Sequence, residues 1–258
     1  MTAASTTDEL RKASNRHLWM HNADWVQMAE EGGPLVVVDG QGIRVTDSEG
    51  RSWIDVNGGY LSVNVGYGRS EIAEAAYEQM KRLSYFPQGA TTAPAIEFAQ
   101  KLAETRDIHV SPDDIVLADG SSQPIHMVCE ALLDPGDVVL TDDFVYSGTL
   151  GTLRRFQADI RGVPCDDQGM EPDALESVIK KAISEGRRPK FMYLIPTFQN
   201  PQGWETPLER RQAIVGLSQR YDVPILEDDC YVDLRYEGEP VTSMHALDRT
   251  GRVMYVAS

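Results

Sequence analysis

From residue 113 onward, short apolar runs alternate with segments of helical periodicity, and this alternation restricts the fold more than any other feature of the chain. The runs fall at 115–118, 138–141, 160–163, 191–195, 223–226 and 253–256. Helical segments at 122–133, 148–157, 171–185 and 207–221 lie between most of them. A strand that is apolar along its whole length has no face to offer water, so both faces of its sheet must be covered. The pattern predicts an α/β fold with three αβα layers around a mainly parallel sheet. Ligands of such open sheets sit at the carboxyl ends of the strands, so the residues just after each run carry the interest.

The N-terminal part reads differently. Residues 8–31 look helical, with Leu10, Trp19, Trp25 and Met28 as apolar points. Runs at 35–39, 42–47 and 52–56, punctuated by Gly40, Gly42 and Gly50, predict a small antiparallel meander. A Gly- and Asn-rich loop follows. Ser70 and Glu71 then open an amphipathic helix at 70–83, and another helix is expected at about 94–104. The expected division is a helix, meander and loop segment at 1–69, then a large domain at 70–258.

The net charge of -16 argues against nonspecific binding to nucleic acid or an anionic membrane. A local basic pocket for an anion remains compatible with it. No apolar run has the length needed to span a bilayer. Residues 1–7 lack the layout of a secretory signal and read as a frayed tail. Cys129, Cys165 and Cys230 are far apart and odd in number, which points to a reducing compartment and, with the rest, to the cytoplasm. His17 and His21 share helical spacing, but no acidic or cysteine partner completes a metal site.

Four strand ends carry candidate chemistry. Gly120, Ser121 and Ser122 form a turn into a helix, whose free N–H groups and serine hydroxyls suit an anion; a simple serine cap explains the same residues. Tyr146 offers a flat ring to a planar ligand or to the core. Asn200-Pro201 is a turn or a candidate cis bond, with an amide able to donate to a ligand oxygen. Glu227, Asp228 and Asp229 repel one another unless something positive binds, either a divalent metal or a protonated heterocyclic nitrogen. Tyr231, a phenol three positions after Asp228, favours the organic cofactor.

These residues lie within ALLDPGDVVLTDDFVYSGTL, YLIPTFQNPQGWETPLERRQAIVGLSQRYDVPILEDDCYVDLRYEG and ALDRTGRVMYVAS. From about residue 113 to 258 the chain resembles the fold type I pyridoxal-phosphate enzymes, specifically the class I/II aminotransferases. The similar branch holds the aminoadipate and kynurenine aminotransferases and the aminotransferase-like domains of some bacterial regulators. The resemblance implies pyridoxal 5'-phosphate as cofactor. It implies that Gly120, Ser121, Ser122 and Ser258 cradle the phosphate and that Tyr146 stacks on the pyridine ring. Asn200 and Tyr231 would bond the ring hydroxyl oxygen. Asp228 would pair with the pyridine nitrogen and keep it protonated, so that the ring accepts electrons. Glu227 and Asp229 would be supporting residues. A homodimer is implied as well. The family's Schiff-base lysine is expected three positions beyond Ser258, followed by a small domain whose arginine grips the substrate carboxylate. Lys12, Lys81, Lys101, Lys180, Lys181 and Lys190, the six lysines present, do not stand in that context. The resulting expectation is a large domain incomplete at its C-terminus, with the small domain absent, that cradles the cofactor without transaminating.

The stretch VVVDGQGIRVTDSEGRSWIDVNGGYLSVNVGYGRSEIAEAAYEQMKRLSYF resembles instead the class III, or omega, aminotransferases. That likeness implies Tyr60, Asn64 and Tyr85 at a substrate pocket; ordinary loop packing accounts for them equally. Class III proteins continue with SGSEAxE where this chain has DGSSQPI, so the switch falls between about 103 and 113, in a natural mosaic or a constructed chimera. Both parents share cofactor and fold. The expected reaction moves an amino group between an amino acid or amine and a 2-oxo acid. A lyase, decarboxylase or synthase on the same cofactor, or a noncatalytic regulatory module, stays open.

Overall fold

The computed structural model describes residues 6–18, 24–86, 91–105, 108, 110–111 and 114–257. They group into two compact units, 1–90 and 91–258, so the helix at 70–82 groups with the first.

In the first unit, α1 (Thr7–His17) starts at a reciprocal cap: the Glu9 N–H donates to the Thr6 hydroxyl, and the Glu9 carboxylate accepts from the Thr6 N–H. The expected single helix over 8–31 is instead two. Leu18 is already extended, and Asp24 opens α2 (Trp25–Glu30) by accepting from the N–H groups of Val26 and Gln27. Trp19 and His21 lie outside the described residues. The meander is present: β1 (Val37–Gln41), β2 (Arg44–Asp47) and β3 (Ser52–Ile54) pair antiparallel in that order. Asp47 pins its turn, accepting from the N–H groups of Glu49 and Arg51, the Arg51 guanidinium and the Trp53 indole. After α3 (Gly58–Leu61), Tyr67 bridges back to Gly42, and its hydroxyl donates to Asp55 at 2.6 Å. The amphipathic segment forms α4 (Ser70–Arg82).

The second unit contains α5 (Ala93–Thr105), α6 (Ser122–Leu132), β4 (Val138–Asp142), α7 (Ser147–Arg155), β5 (Asp159–Val163), β6 (Cys165–Asp166), β7 (Gly169–Met170), α8 (Pro172–Ser184), β8 (Phe191–Leu194), α9 (Leu208–Tyr221), β9 (Ile225–Asp228), α10 (Met244–Leu247) and β10 (Val253–Val256). Its sheet runs β10-β9-β8-β4-β5, with every pairing parallel. Successive residues of a strand point to opposite faces, and here both faces are apolar. Leu140, Met192, Leu194 and Ile225 pack with Ile179 and Ile214 of α8 and α9. Val139, Phe191, Tyr193 and Leu226 pack with Cys129 and Leu153 of α6 and α7. The three-layer expectation therefore holds.

One expected strand does not form. Residues 115–118 pair with no ladder among the described residues, and Val116 and Leu117 stay 67% and 41% exposed. An apolar run becomes a strand only when a neighbour supplies amides and carbonyls. The hairpin of β6 and β7 was not anticipated, because two residues on each side carry no readable periodicity. No helix among the described residues is long and apolar enough to cross a membrane.

Candidate active site

The chain passes from β4 to β5 on one side and then returns to place β8 on the other side of β4. This reversal opens a crevice at the carboxyl ends of β4 and β8, the place where open α/β sheets bind ligands. The loop after β4 brings Tyr146, the loop after β8 brings Asn200, and β9 next door ends at Asp228.

Asp228 is buried, and its Oδ2 accepts from the Tyr193 hydroxyl at 2.6 Å. Its Oδ1 is also buried and takes no hydrogen bond of ordinary geometry from the described residues. Burial pushes the Asp228 carboxyl up, and the Asp229 charge adds to that; the Tyr193 and Cys230 donors work the other way. The Asn200 amide donates to the Tyr231 hydroxyl at 3.0 Å, so two residues 31 positions apart meet beyond the carboxyl ends of β8 and β9. The Asn200-Pro201 bond is cis.

The acids at the end of β9 do not act as a group. Glu227 points to the opposite face and accepts from the N–H groups of Met244 and His245, capping α10. Burial and the Asp229 charge push it up to about 7, against those N–H groups and the Arg211 charge. Asp229 accepts from the Tyr255 hydroxyl at 3.1 Å. Among the described residues no group of three or more His, Cys, Asp or Glu side chains is placed to hold a metal ion.

The loop after β8 is held from beneath. Arg211 is fully buried and donates to the carbonyls of Pro196, Thr206 and Thr242 and to the Thr197 hydroxyl. Gln199 donates to the Phe144 carbonyl and to Asp142, joining the two loops across the crevice. Phe198 takes a positive φ of 51°, unusual for a bulky residue, and the Arg235 guanidinium lies over its ring. None of these anchors was singled out from the sequence. Arg211 follows another arginine in a helix of mixed charge, and only the fold tells them apart: Arg210 reaches Asp166 instead.

Tyr146 stands at the start of α7, 40% exposed. Its ring folds over Gly148, where a Cβ would come within 2.4 Å of it, so a glycine is needed to seat the ring. Gly120 has φ +66°, in the left-handed region, and leads into α6. Ser121 is the N-cap of that helix, yet its side chain makes no capping bond, which leaves the first N–H groups and the hydroxyl uncommitted to each other. In the first unit, Asn64 and Tyr85 are exposed, Tyr85 by 75%. The side chain of Tyr60 and all of Ser258 lie outside the described residues. A hollow of about 550 Å³ between Phe144, Cys165 and Trp204 adjoins the two loops, but none of the sequence-assigned residues lines it.

Residues 61–258 match the family described as aminotransferase class I and II, so that likeness begins well before residue 113. The aromatic-amino-acid aminotransferase 1 of Thermococcus litoralis is 34% identical over 176 residues, 68% of this chain and 42% of that protein. Among solved structures, an archaeal alanine:glyoxylate aminotransferase is similar with a TM-score of 0.71 and 30% identity, over 90% of this chain and 54% of that one. The Pyrococcus horikoshii kynurenine aminotransferase, solved in complex with PMP, is similar with a TM-score of 0.67 and 31% identity, over 74% of this chain and 48% of that one. The chain spans less than half the length of the curated relatives it matches.

Proposed function

Because the chain belongs to the class I and II aminotransferase family, we propose that it forms the cofactor-binding part of a pyridoxal-phosphate-dependent aminotransferase, which moves an amino group between an amino acid or amine and a 2-oxo acid. One observation carries this reading: Asp228 keeps a buried oxygen that takes no hydrogen bond of ordinary geometry from the described residues, at the same strand ends where Asn200 and Tyr231 meet. A buried acceptor of that kind fits a cationic N–H donor, and the Asn200–Tyr231 pair fits a phenolic oxygen. A pyridoxal ring carries both groups, the nitrogen and a hydroxyl on the carbon meta to it.

When bound, the cofactor supplies an aldehyde and an electron-withdrawing ring. The remaining work falls to this chain's own residues. The Asp228 carboxylate holds the proton on the ring nitrogen. Asn200 and Tyr231 orient the ring through its hydroxyl oxygen. Tyr146 covers one face and excludes water there. Gly120, Ser121 and Ser122 offer N–H groups and hydroxyls to the phosphate, where the positive end of α6 favours its charge. Lys180 pairs with Glu176 on α8, and Lys190 pairs with Asp137 where β8 and β4 begin, at the other end of the sheet. The part proposed for these residues is to bind and orient the cofactor.

Ser258 as a further phosphate ligand, and Tyr60, Asn64 and Tyr85 as a substrate wall, rest on the family likeness alone. The division at residue 69, a homodimer and a cytoplasmic location are proposed on the same ground. An absorbance titration with pyridoxal 5'-phosphate tests the site. The wild-type chain should bind it saturably, and Asp228→Asn should weaken binding at least about tenfold, the worth of one charged hydrogen bond. Equal binding by both would remove Asp228 from the site.

A further inference from the structure

We propose that Tyr193 is a positioning residue for the cofactor's ring nitrogen: its hydroxyl fixes the Asp228 carboxyl and leaves Oδ1 as the oxygen that meets the nitrogen. This inference rests on the reading of the crevice as a pyridoxal-phosphate site.

Tyr193 sits in the middle of β8, fully buried among apolar neighbours. A phenol in that position needs a partner for its O–H. It pairs in register with Leu226, and Asp228 lies two residues further along β9. Residues two apart share a face, so Asp228 is on the side of the sheet that Tyr193 occupies, whereas Glu227 is on the other. The 2.6 Å bond to Oδ2 has the length of an O–H donor on a carboxylate. Thr149 lies near the phenol oxygen without completing a full hydrogen bond, which leaves Asp228 as the geometrically sound partner of Tyr193.

Two consequences follow for the ring nitrogen. A carboxyl turns about its last torsion in a broad well, and a bond to one oxygen selects the plane in which the other is offered. The donor also opposes burial. The groups that face Asp228 are Tyr193 on β8 and Asp229 and Cys230 beyond β9; the Asp229 charge drives the carboxyl toward its neutral form together with burial, while the Tyr193 and Cys230 donors act against that drive. Deleting the hydroxyl therefore weakens the ionised form of Asp228, the form that holds a protonated nitrogen.

The test compares pyridoxal 5'-phosphate with its analogue carrying C–H in place of the ring nitrogen, each titrated onto the full chain. Tyr193→Phe should weaken pyridoxal phosphate by roughly tenfold while leaving the analogue within about twofold of wild type. In an Asp228→Asn background the same substitution should have little further effect. If Tyr193→Phe does not fold, 3-fluorotyrosine at position 193 keeps the hydroxyl as a stronger donor and should favour pyridoxal phosphate over the analogue. Equal losses for both ligands, or no loss for either, would reduce Tyr193 to packing and overturn the proposal. Failure of the wild-type chain to bind either ligand would overturn the cofactor reading itself, and this inference with it.

Discussion

In the second unit, strands β4, β8 and β9 bury apolar side chains on both faces, and two cores flank the sheet. In the first, Val45 and Pro34 are the only buried apolar side chains among the described residues, and none of the described side chains of α1 or α4 is buried. The meander is held instead by two aspartates: Asp47 gathers four donors around its turn, and Asp55 accepts from Tyr67 and Gly59. Burial protects the one region, directed hydrogen bonds the other. The two should answer differently to mutation, to acid and to added volume.

The largest effect is expected where the burial-built region contains a charge. Arg211→Leu strips donors from three carbonyls and leaves Glu227 buried without its nearby cation. Breaking such a network costs about 3–5 kcal/mol, which denaturant unfolding of the second unit would record. In the first unit, Asp47→Ala should release the turn locally. Amide exchange at Glu49 and Arg51 should speed up at least about tenfold, with the sheet of the second unit unchanged.

Acid separates the regions by sign. Burial raises Glu227 to about 7 and Asp142 to about 7, above their ordinary values of 4.5 and 3.8. Between the ordinary and the raised values, the folded form holds protons that the unfolded form has lost. These groups favour folding most below about pH 4, lose that contribution as pH rises, and contribute no further change above about 7. Asp47 is the reverse. Burial opposes its ionisation, but hydrogen bonds from Trp53 and Arg51 outweigh that and hold it well below 3.8, so its support is full above that value and fades as pH falls further. Calorimetry should show the second unit melting higher at pH 5 than at pH 8, and the meander loosening first below about pH 3.8.

The smallest stability effect belongs to Gly148→Ala. The added methyl displaces the half-exposed Tyr146 ring rather than the core, so the melting temperature should change little. Affinity for pyridoxal phosphate should fall several-fold, because the ring no longer lies where α7 begins. Unchanged affinity would take Tyr146 out of the stacking role.

The sheet was legible because burial on both faces writes continuous apolar runs, and β10 falls at the expected residues 253–256. Asn200 and Tyr231, assigned from the family likeness, do meet. Residues 115–118 misled because an apolar run does not disclose whether a neighbour will pair with it. Tyr193 was hidden for the opposite reason: a phenol inside FMYLI reads as one more core residue until β9 is laid beside β8 in register. Arg211 needed three dimensions, since adjacent arginines on one helix look alike in one. The start of α2 depends on Asp24 acting as a cap, a choice its neighbours allow but do not impose.

The alternation along β9 has a consequence for how the gene can change. Asp228 faces Tyr193 and Glu227 faces α10 only because they are consecutive on the strand. A substitution in this segment alters one contact, whereas a single codon gained or lost between Ile225 and Asp228 exchanges the two faces at once. It would bring Glu227 to the crevice side and turn Asp228, one methylene shorter, toward α10. In this segment, spacing is inherited information as much as residue identity is, and length polymorphism is the variation it tolerates least.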